Sequence, residues 1–170
     1  KVIAVDRSAT RLERLKQNME RLKFKPLVVK ADVSNWRPKR SADVVMLDAP
    51  CSATGTARRH PDVLWSKSES DITQLAAIQQ GMMSAAAESV APGGLLIFAT
   101  CSLQPEEGID HVSPFLNTHS EFQLEPLTAT DVHGLLETLT TCGCFRSLPS
   151  HHADQGGIDG FFAARFRRQV

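Results

Sequence analysis

The sequence predicts an α/β fold built on a mostly parallel sheet that closes with a carboxyl-terminal antiparallel hairpin. Three observations carry this reading. Short apolar runs alternate with stretches of helical periodicity, the signature of strand–helix–strand units. Three of the runs finish in an acid, at Asp6, Asp32 and Asp48. Two runs lead directly into cysteine motifs, Leu47-Asp48-Ala49-Pro50-Cys51-Ser52 and Phe98-Ala99-Thr100-Cys101-Ser102.

The elements follow in order. Val2 to Asp6 is the first strand, and Ser8 supplies the cap for a helix whose Leu12, Leu15, Met19 and Leu22 recur at helical spacing. Pro26 breaks that pattern, and Leu27-Val28-Val29 leads through Ala31 to Asp32 as a second strand. After a polar loop with Asn35, Arg37 and Pro38, Val44 to Leu47 forms a third strand ended by Asp48. An irregular stretch with Gly55, Pro61 and Trp65 follows Cys51. Ser70 or Asp71 then opens a long helix through Ile72, Leu75, Ile78, Met82, Ala86 and Val90. Pro92-Gly93-Gly94 is expected to stop it and turn the chain into the strand Leu95 to Phe98. A glycine pair before a strand reads as a tight turn, whereas a phosphate loop lies between strand and helix. Pro105 is expected to start a further helix, with Glu106 and Glu107 in its first turn, where the helix dipole favours acids. Cys144 to Leu148 and Gly160 to Phe166 read as two late strands joined by a polar loop from His151 to Asp159.

Composition narrows the class. A chain of 170 residues with 42% hydrophobic and 22% charged residues suits one globular domain, residues 1–170. No apolar run approaches a membrane span, and no secretory signal is visible. Nineteen basic and 19 acidic side chains balance to zero, so net charge neither argues for nor excludes a nucleic-acid partner. Arg37, Lys39 and Arg40 form one basic group, and Arg58, Arg59 and His60 another soon after Cys51. The four cysteines, Cys51, Cys101, Cys142 and Cys144, are expected to be reduced in a cytoplasmic protein. Cys142-Gly143-Cys144 with His151-His152 matches no common zinc spacing, so no metal is expected. The chain starts at Lys1 and enters a strand at once, which reads as a piece of a longer protein.

If the strands ending at Asp48 and Thr100 are parallel neighbours, about 5 Å apart, both thiols emerge at one sheet edge. That edge is where open α/β sheets bind ligands. Two thiols beside a carboxylate suit covalent attack on a pyrimidine. A thiolate adding to C6 makes C5 nucleophilic, a nearby carboxyl group stabilises protonation at N3, and a base must later remove the C5 proton. An acid at the end of a second strand commonly accepts from ribose hydroxyls, and a second acid one strand on can take an adenine amine.

Asp48-Ala49-Pro50-Cys51-Ser52-Ala53-Thr54-Gly55 and Ala99-Thr100-Cys101-Ser102-Leu103-Gln104-Pro105-Glu106-Glu107 resemble the two signature motifs of the Nop/Sun RNA (cytosine-5) methyltransferases. Arg59-His60-Pro61-Asp62, Trp65 and Asp159-Gly160-Phe161-Phe162 are similar to that family as well, most of all to its bacterial Sun/Fmu branch, which acts on small-subunit ribosomal RNA. The resemblance implies a Rossmann-like, S-adenosylmethionine-dependent methyltransferase with RNA as partner. It makes Cys101 the nucleophile at C6, Cys51 the thiol needed for release, and Asp48 the acid at the cytosine edge near the methyl donor. Asp6 and Asp32 become the ribose and adenine contacts, with Arg7 flanking the adenine. DNA cytosine methyltransferases use the Pro-Cys thiol instead, which keeps Cys51 open as nucleophile.

One departure stands out. The family's first strand and its glycine-rich loop are absent, and residues 1–54 hold no glycine. In the family that strand lies between those ending at Asp6 and Asp48. A sheet without it has unpaired backbone edges, so an amino-terminal segment of the same protein is expected to be required for stable folding and cofactor binding. Two other readings stay open: the same chemistry on transfer RNA, and a non-catalytic RNA-binding or ribosome-assembly module of the same fold.

Overall fold

In a computed structural model, which describes residues 1–170, the chain forms two compact units, Lys1–Lys39 and Arg40–Val170. In the first, β1 (Ile3–Asp6) leads to α1 (Ala9–Arg21) and back to β2 (Leu27–Lys30). The two strands are parallel, from Ile3 opposite Leu27 to Asp6 opposite Lys30. Ser8 caps α1 as expected: the Arg11 amide donates to its hydroxyl at 3.3 Å. Leu12 is the buried residue of the helix. Asp6 and Asp32 thus follow from neighbouring strands at the same carboxyl-terminal edge. A groove of about 450 Å³ in this unit is lined by Met19, Phe24, Pro26 and their neighbours, and includes neither acid.

The second unit holds a five-stranded mixed sheet in the order β3-β4-β7-β5, with β6 also paired to β7. β3 (Ala42–Asp48) and β4 (Val90–Thr100) run parallel, in register from Val44 opposite Leu95 to Asp48 opposite Ala99. β7 (Phe161–Arg168) lies antiparallel to β4, β5 (Phe122–Leu124) and β6 (Phe145–Ser147). The predicted closing hairpin is therefore present. α2 (Glu69–Ala87) makes the crossover from β3 to β4, and α3 (Val112–Thr118) precedes β5. Leu96, Phe98, Phe162, Phe166 and Met83 fill the core between these layers. Phe98 meets Phe162 edge-on at 6.3 Å, and Phe115 packs on Phe166 at 4.8 Å.

Four expectations need correction. α2 is capped by Ser68, not by Ser70 or Asp71, because Ser68 and Asp71 form a reciprocal capping box. The helix ends at Ala87, and Val90 already belongs to β4, where it faces Ala42. Pro92-Gly93-Gly94 consequently lies within the strand. There the register shifts between Ala42 and Val44, and Gly93 takes a φ of +74°. Such a bulge is where a strand tolerates a residue without an amide hydrogen. Pro105 starts only a short 3-10 turn, Pro105–Glu107, since Gly108 leaves helical geometry before a second turn at Ile109–His111. β5, which the sequence does not anticipate, has three residues and is too short to show a periodic signal. No helix is long and apolar enough to cross a membrane. No group of three or more His, Cys, Asp or Glu residues is placed to hold a metal ion, and Cys142 and Cys144 stand with sulfurs 3.5 Å apart.

Candidate active site

The parallel pairing of β3 and β4 decides where the two cysteine motifs go. The sheet ladder runs to its end, with the Ala49 amide donating to the Ala99 carbonyl at 3.0 Å. The chains then leave the sheet side by side, and Cys51 Sγ lies 3.5 Å from Cys101 Sγ. Both residues are half-buried, so neither is sealed from solvent.

Two thiols this close titrate as one system. Hydrogen bonding from Cys51 pulls the Cys101 thiol down to about 7, against burial and the Asp48 carboxylate, which both push it up. The Cys51 thiol is driven strongly upward by that same bond, by burial and by the neighbouring thiolate. The pair therefore favours the thiol on Cys51 and the thiolate on Cys101. Asp48 is itself raised by desolvation: the residue is exposed as a whole, but its carboxyl group is crowded.

Beneath the thiols lies a buried polar cluster centred on Glu107, which is fully buried. Its carboxylate accepts from the Ser52 amide at 2.9 Å, the Ser52 hydroxyl at 2.5 Å, the Ser102 hydroxyl at 2.6 Å and Gln79 Nε2 at 3.0 Å. Gln79 Oε1 is 2.8 Å from His111 Nε2. Because Gln79 Oε1 can only accept, His111 Nε2 carries the hydrogen and donates, and burial lowers the His111 pKa.

Backbone contacts knit the loop after Cys51 into the site. The Gly55 amide donates to the Cys101 carbonyl at 3.0 Å, and the Gly160 amide donates to the Gly55 carbonyl at 2.8 Å. A Cβ on Gly55 would stand 2.1 Å from the Gly160 oxygen, so only glycine fits. Arg59 pairs with Asp159 through two nitrogens, and Arg58 Nη1 is 3.6 Å from the same carboxylate. Arg146 Nη1 donates to the Ser102 carbonyl at 2.6 Å while its guanidinium lies over Phe162, 5.5 Å from the ring centre.

In the amino-terminal unit, Asp6 accepts from the Ser8 amide at 2.7 Å and pairs with Arg11 at 2.9 Å. Asp32 is exposed, and its carboxylate accepts from the Ser34 amide at 2.9 Å. That bond, with a smaller contribution from Arg7, lowers its pKa. Asp6, Arg7 and Asp32 thus gather in one unit, and Asp48, Cys51 and Cys101 in the other.

The match to known proteins is extensive. The model of the family described as 16S rRNA methyltransferase RsmB/F matches residues 1–167. The chain belongs to this family. It is 43% identical over 168 residues to ribosomal RNA small subunit methyltransferase B of Shewanella oneidensis, covering 97% of this chain and 37% of that protein. It is 37% identical over 177 residues to the protein of the same name from Pasteurella multocida, covering 99% of this chain and 37% of that protein. The chain therefore spans a little over a third of the length of these curated relatives. The crystal structure of NSun6 from Pyrococcus horikoshii with SFG superposes with a TM-score of 0.80 at 26% identity, over 100% of this chain and 42% of that one. The fold is accordingly the Rossmann-like one of S-adenosylmethionine-dependent methyltransferases.

Within this family fold, the roles of three site residues are not legible in the sequence. Glu107 closes the second cysteine motif, where its place after Pro105 reads as a helix-dipole residue; Gln79 lies mid-way along α2 and His111 in the short turn Ile109–His111, and neither belongs to a motif.

Proposed function

We propose that this chain is the carboxyl part of the catalytic domain of a cytoplasmic, S-adenosylmethionine-dependent RNA (cytosine-5) methyltransferase acting on small-subunit ribosomal RNA. The observation that carries the reading is the pair of sulfurs 3.5 Å apart at the ends of parallel strands, one favouring thiolate and the other thiol. The names of the relatives support ribosomal RNA as substrate.

The residues take these roles. The Cys101 thiolate forms a bond to C6 of the cytosine, and the ring's electron pair moves toward C5. Asp48, raised by desolvation, is suited to hold a proton against N3 as charge develops there. When bound, S-adenosylmethionine supplies the electrophilic methyl group for C5. Cys51 gives its own proton to water and, as thiolate, takes the C5 proton; the C5–H electron pair restores the C5=C6 double bond, the C6–Sγ bond breaks, and Cys101 leaves as thiolate. Asp6 and Asp32 suit the cofactor's nucleoside: two carboxylates at the ends of adjacent parallel strands are acceptors for hydroxyl and amine hydrogens, and Arg7 lies beside Asp32. The methionine end needs a glycine-rich turn, which residues 1–54 do not contain. We assign it to another segment of the intact protein, one that also pairs a free strand edge: β3 is the outer strand of its sheet, with Val44 and Met46 exposed.

Trapping tests the reading. In the intact protein with RNA and cofactor at about pH 9, Cys51→Ala is expected to accumulate a covalent RNA adduct through Cys101, and Cys101→Ala none. Sequencing the treated RNA for new 5-methylcytosine identifies the substrate. Modification confined to transfer RNA would replace the ribosomal assignment, and no adduct with no 5-methylcytosine would indicate a binding module.

A further inference from the structure

We propose that Glu107 is the positioning residue of the two-thiol centre: its carboxylate ties Ser52 and Ser102 to one buried point and so sets the separation of the Cys51 and Cys101 sulfurs. The proposal deepens the function proposed above and rests on it for the catalytic consequence, while its geometry stands independently.

The geometry brackets each cysteine on both sides. Before Cys51, the Pro50 carbonyl accepts from Gln79 Nε2 at 2.8 Å; after it, the Ser52 amide and hydroxyl both donate to Glu107. Before Cys101, the Thr100 hydroxyl donates to the Glu107 carbonyl at 2.8 Å; after it, the Ser102 hydroxyl donates to the Glu107 carboxylate. All four residues flanking the thiols are therefore held by Glu107 or by Gln79, which itself donates to Glu107. Thr54 closes the ring: its hydroxyl lies 3.3 Å from that of Ser102 and accepts from the Leu103 amide at 2.9 Å.

A carboxylate fits this task because it is a pure acceptor with about four lone-pair sites, matched here to four donors. Its burial serves something other than bare stability. Apolar side chains of similar volume often serve as well as buried ions, while a half-satisfied network is worse than either. Glu107 touches no solvent and so has no direct part in the reaction. It acts through the backbone, where a displacement of about 1 Å costs roughly 10²-fold in rate.

The test uses two readouts in the intact protein. One is kcat and KM for methyl transfer to RNA. The other is the rate at which diamide links Cys51 to Cys101, read as the disulfide-joined peptide by mass spectrometry. In that step two thiols lose two electrons and two protons to the diazene, and neither RNA nor cofactor is needed. Glu107→Ala is expected to lower kcat and the linking rate by about 10²-fold with KM within about threefold. Glu107→Gln is expected to restore most of both, because its amide oxygen can accept from the Ser52 amide and Gln79 while its NH2 donates to the two hydroxyls. Should Glu107→Ala fail to fold, the double variant Ser52→Ala/Ser102→Ala decides, with at least about tenfold slower linking expected. Linking at the wild-type rate in Glu107→Ala, or in that double variant, overturns the proposal. Wild-type kcat in Glu107→Ala overturns it and leaves the proposed function standing. A wild-type protein inert toward RNA whose linking still depends on Glu107 supports the proposal and refutes that function.

Discussion

Removing the Cys51 thiol should move the titration of Cys101 upward, and the structure gives the size of the move. Cys101 sits at about 7 because the Cys51 S–H donates to it; burial, Asp48 and Glu107 all push the other way, and its own backbone hydrogen bond lowers it only slightly. In Cys51→Ala the first influence disappears and Cys101 returns to its ordinary value of 9.0 or above. At pH 7 the thiolate fraction then falls from about one half to about one hundredth, roughly fifty-fold. The assay is iodoacetamide alkylation of the intact protein across pH 5 to 10, with the Cys101 peptide quantified by mass spectrometry. That readout separates it from the exposed Cys142. The midpoint is the discriminating quantity, because a less acidic thiolate is intrinsically more nucleophilic and recovers part of the fifty-fold. An expected midpoint near 7 in the wild type should rise to 9 or beyond in the variant, with the two converging at high pH. A midpoint that stays near 7 in Cys51→Ala would refute the shared-proton account. The same shift is why adduct trapping in that variant belongs near pH 9.

Two further outcomes follow from packing. Gly55→Ala places a Cβ 2.1 Å from the Gly160 oxygen and 2.8 Å from the Cys101 oxygen, all backbone, so the loop must move by about 1 Å; kcat should fall about 10²-fold, and a urea melt should show about 1–3 kcal/mol lost to overpacking. Phe162→Ala removes a fully buried ring packed against Phe98 and Arg146, and the same melt should show about 3–5 kcal/mol lost.

What could be read in advance was whatever leaves a local or periodic trace. The ends of β1, β3 and β4 were marked by apolar runs closed with Asp6, Asp48 and Thr100, and α1 by Ser8 ahead of Leu12. The meeting of Cys51 and Cys101 followed from one assumption, that β3 and β4 are parallel neighbours, which their register upholds. The cap of α2 was misplaced although Ser68 and Asp71 have capping-box spacing, because Ser70 and Asp71 offered equally good caps nearby. Pro92-Gly93-Gly94 misled because proline and glycine punctuate helices and also fill bulges; strand pairing from Ala42 to Val90 decided between them. The Glu107 cluster left only a partial trace: Ser52, Thr54, Ser102 and Glu107 all lie in the two cysteine motifs, but nothing local shows that they converge with Gln79 and His111. Its members are 28 and 55 residues apart in sequence, and their association depends on tertiary placement that composition and periodicity do not encode.

The split between the two thiols also bears on timing in the proposed reaction. At rest, Cys51 holds its proton tightly because it donates to the Cys101 thiolate and feels that charge. A thiol so raised is a poor base. Once Cys101 is bonded to C6, its sulfur is a neutral thioether, and both of those influences vanish together, leaving burial as the main upward push. The Cys51 pKa then falls back toward its ordinary value, so the thiol can pass its proton to water and act as the base that removes the C5 proton. Attack by one cysteine thereby switches on the other without any movement of the chain, provided that the sulfurs stay within hydrogen-bonding distance beforehand. That condition makes their spacing a catalytic quantity, and it explains why a buried carboxylate, costly to desolvate, is placed where it grips both adjoining serines.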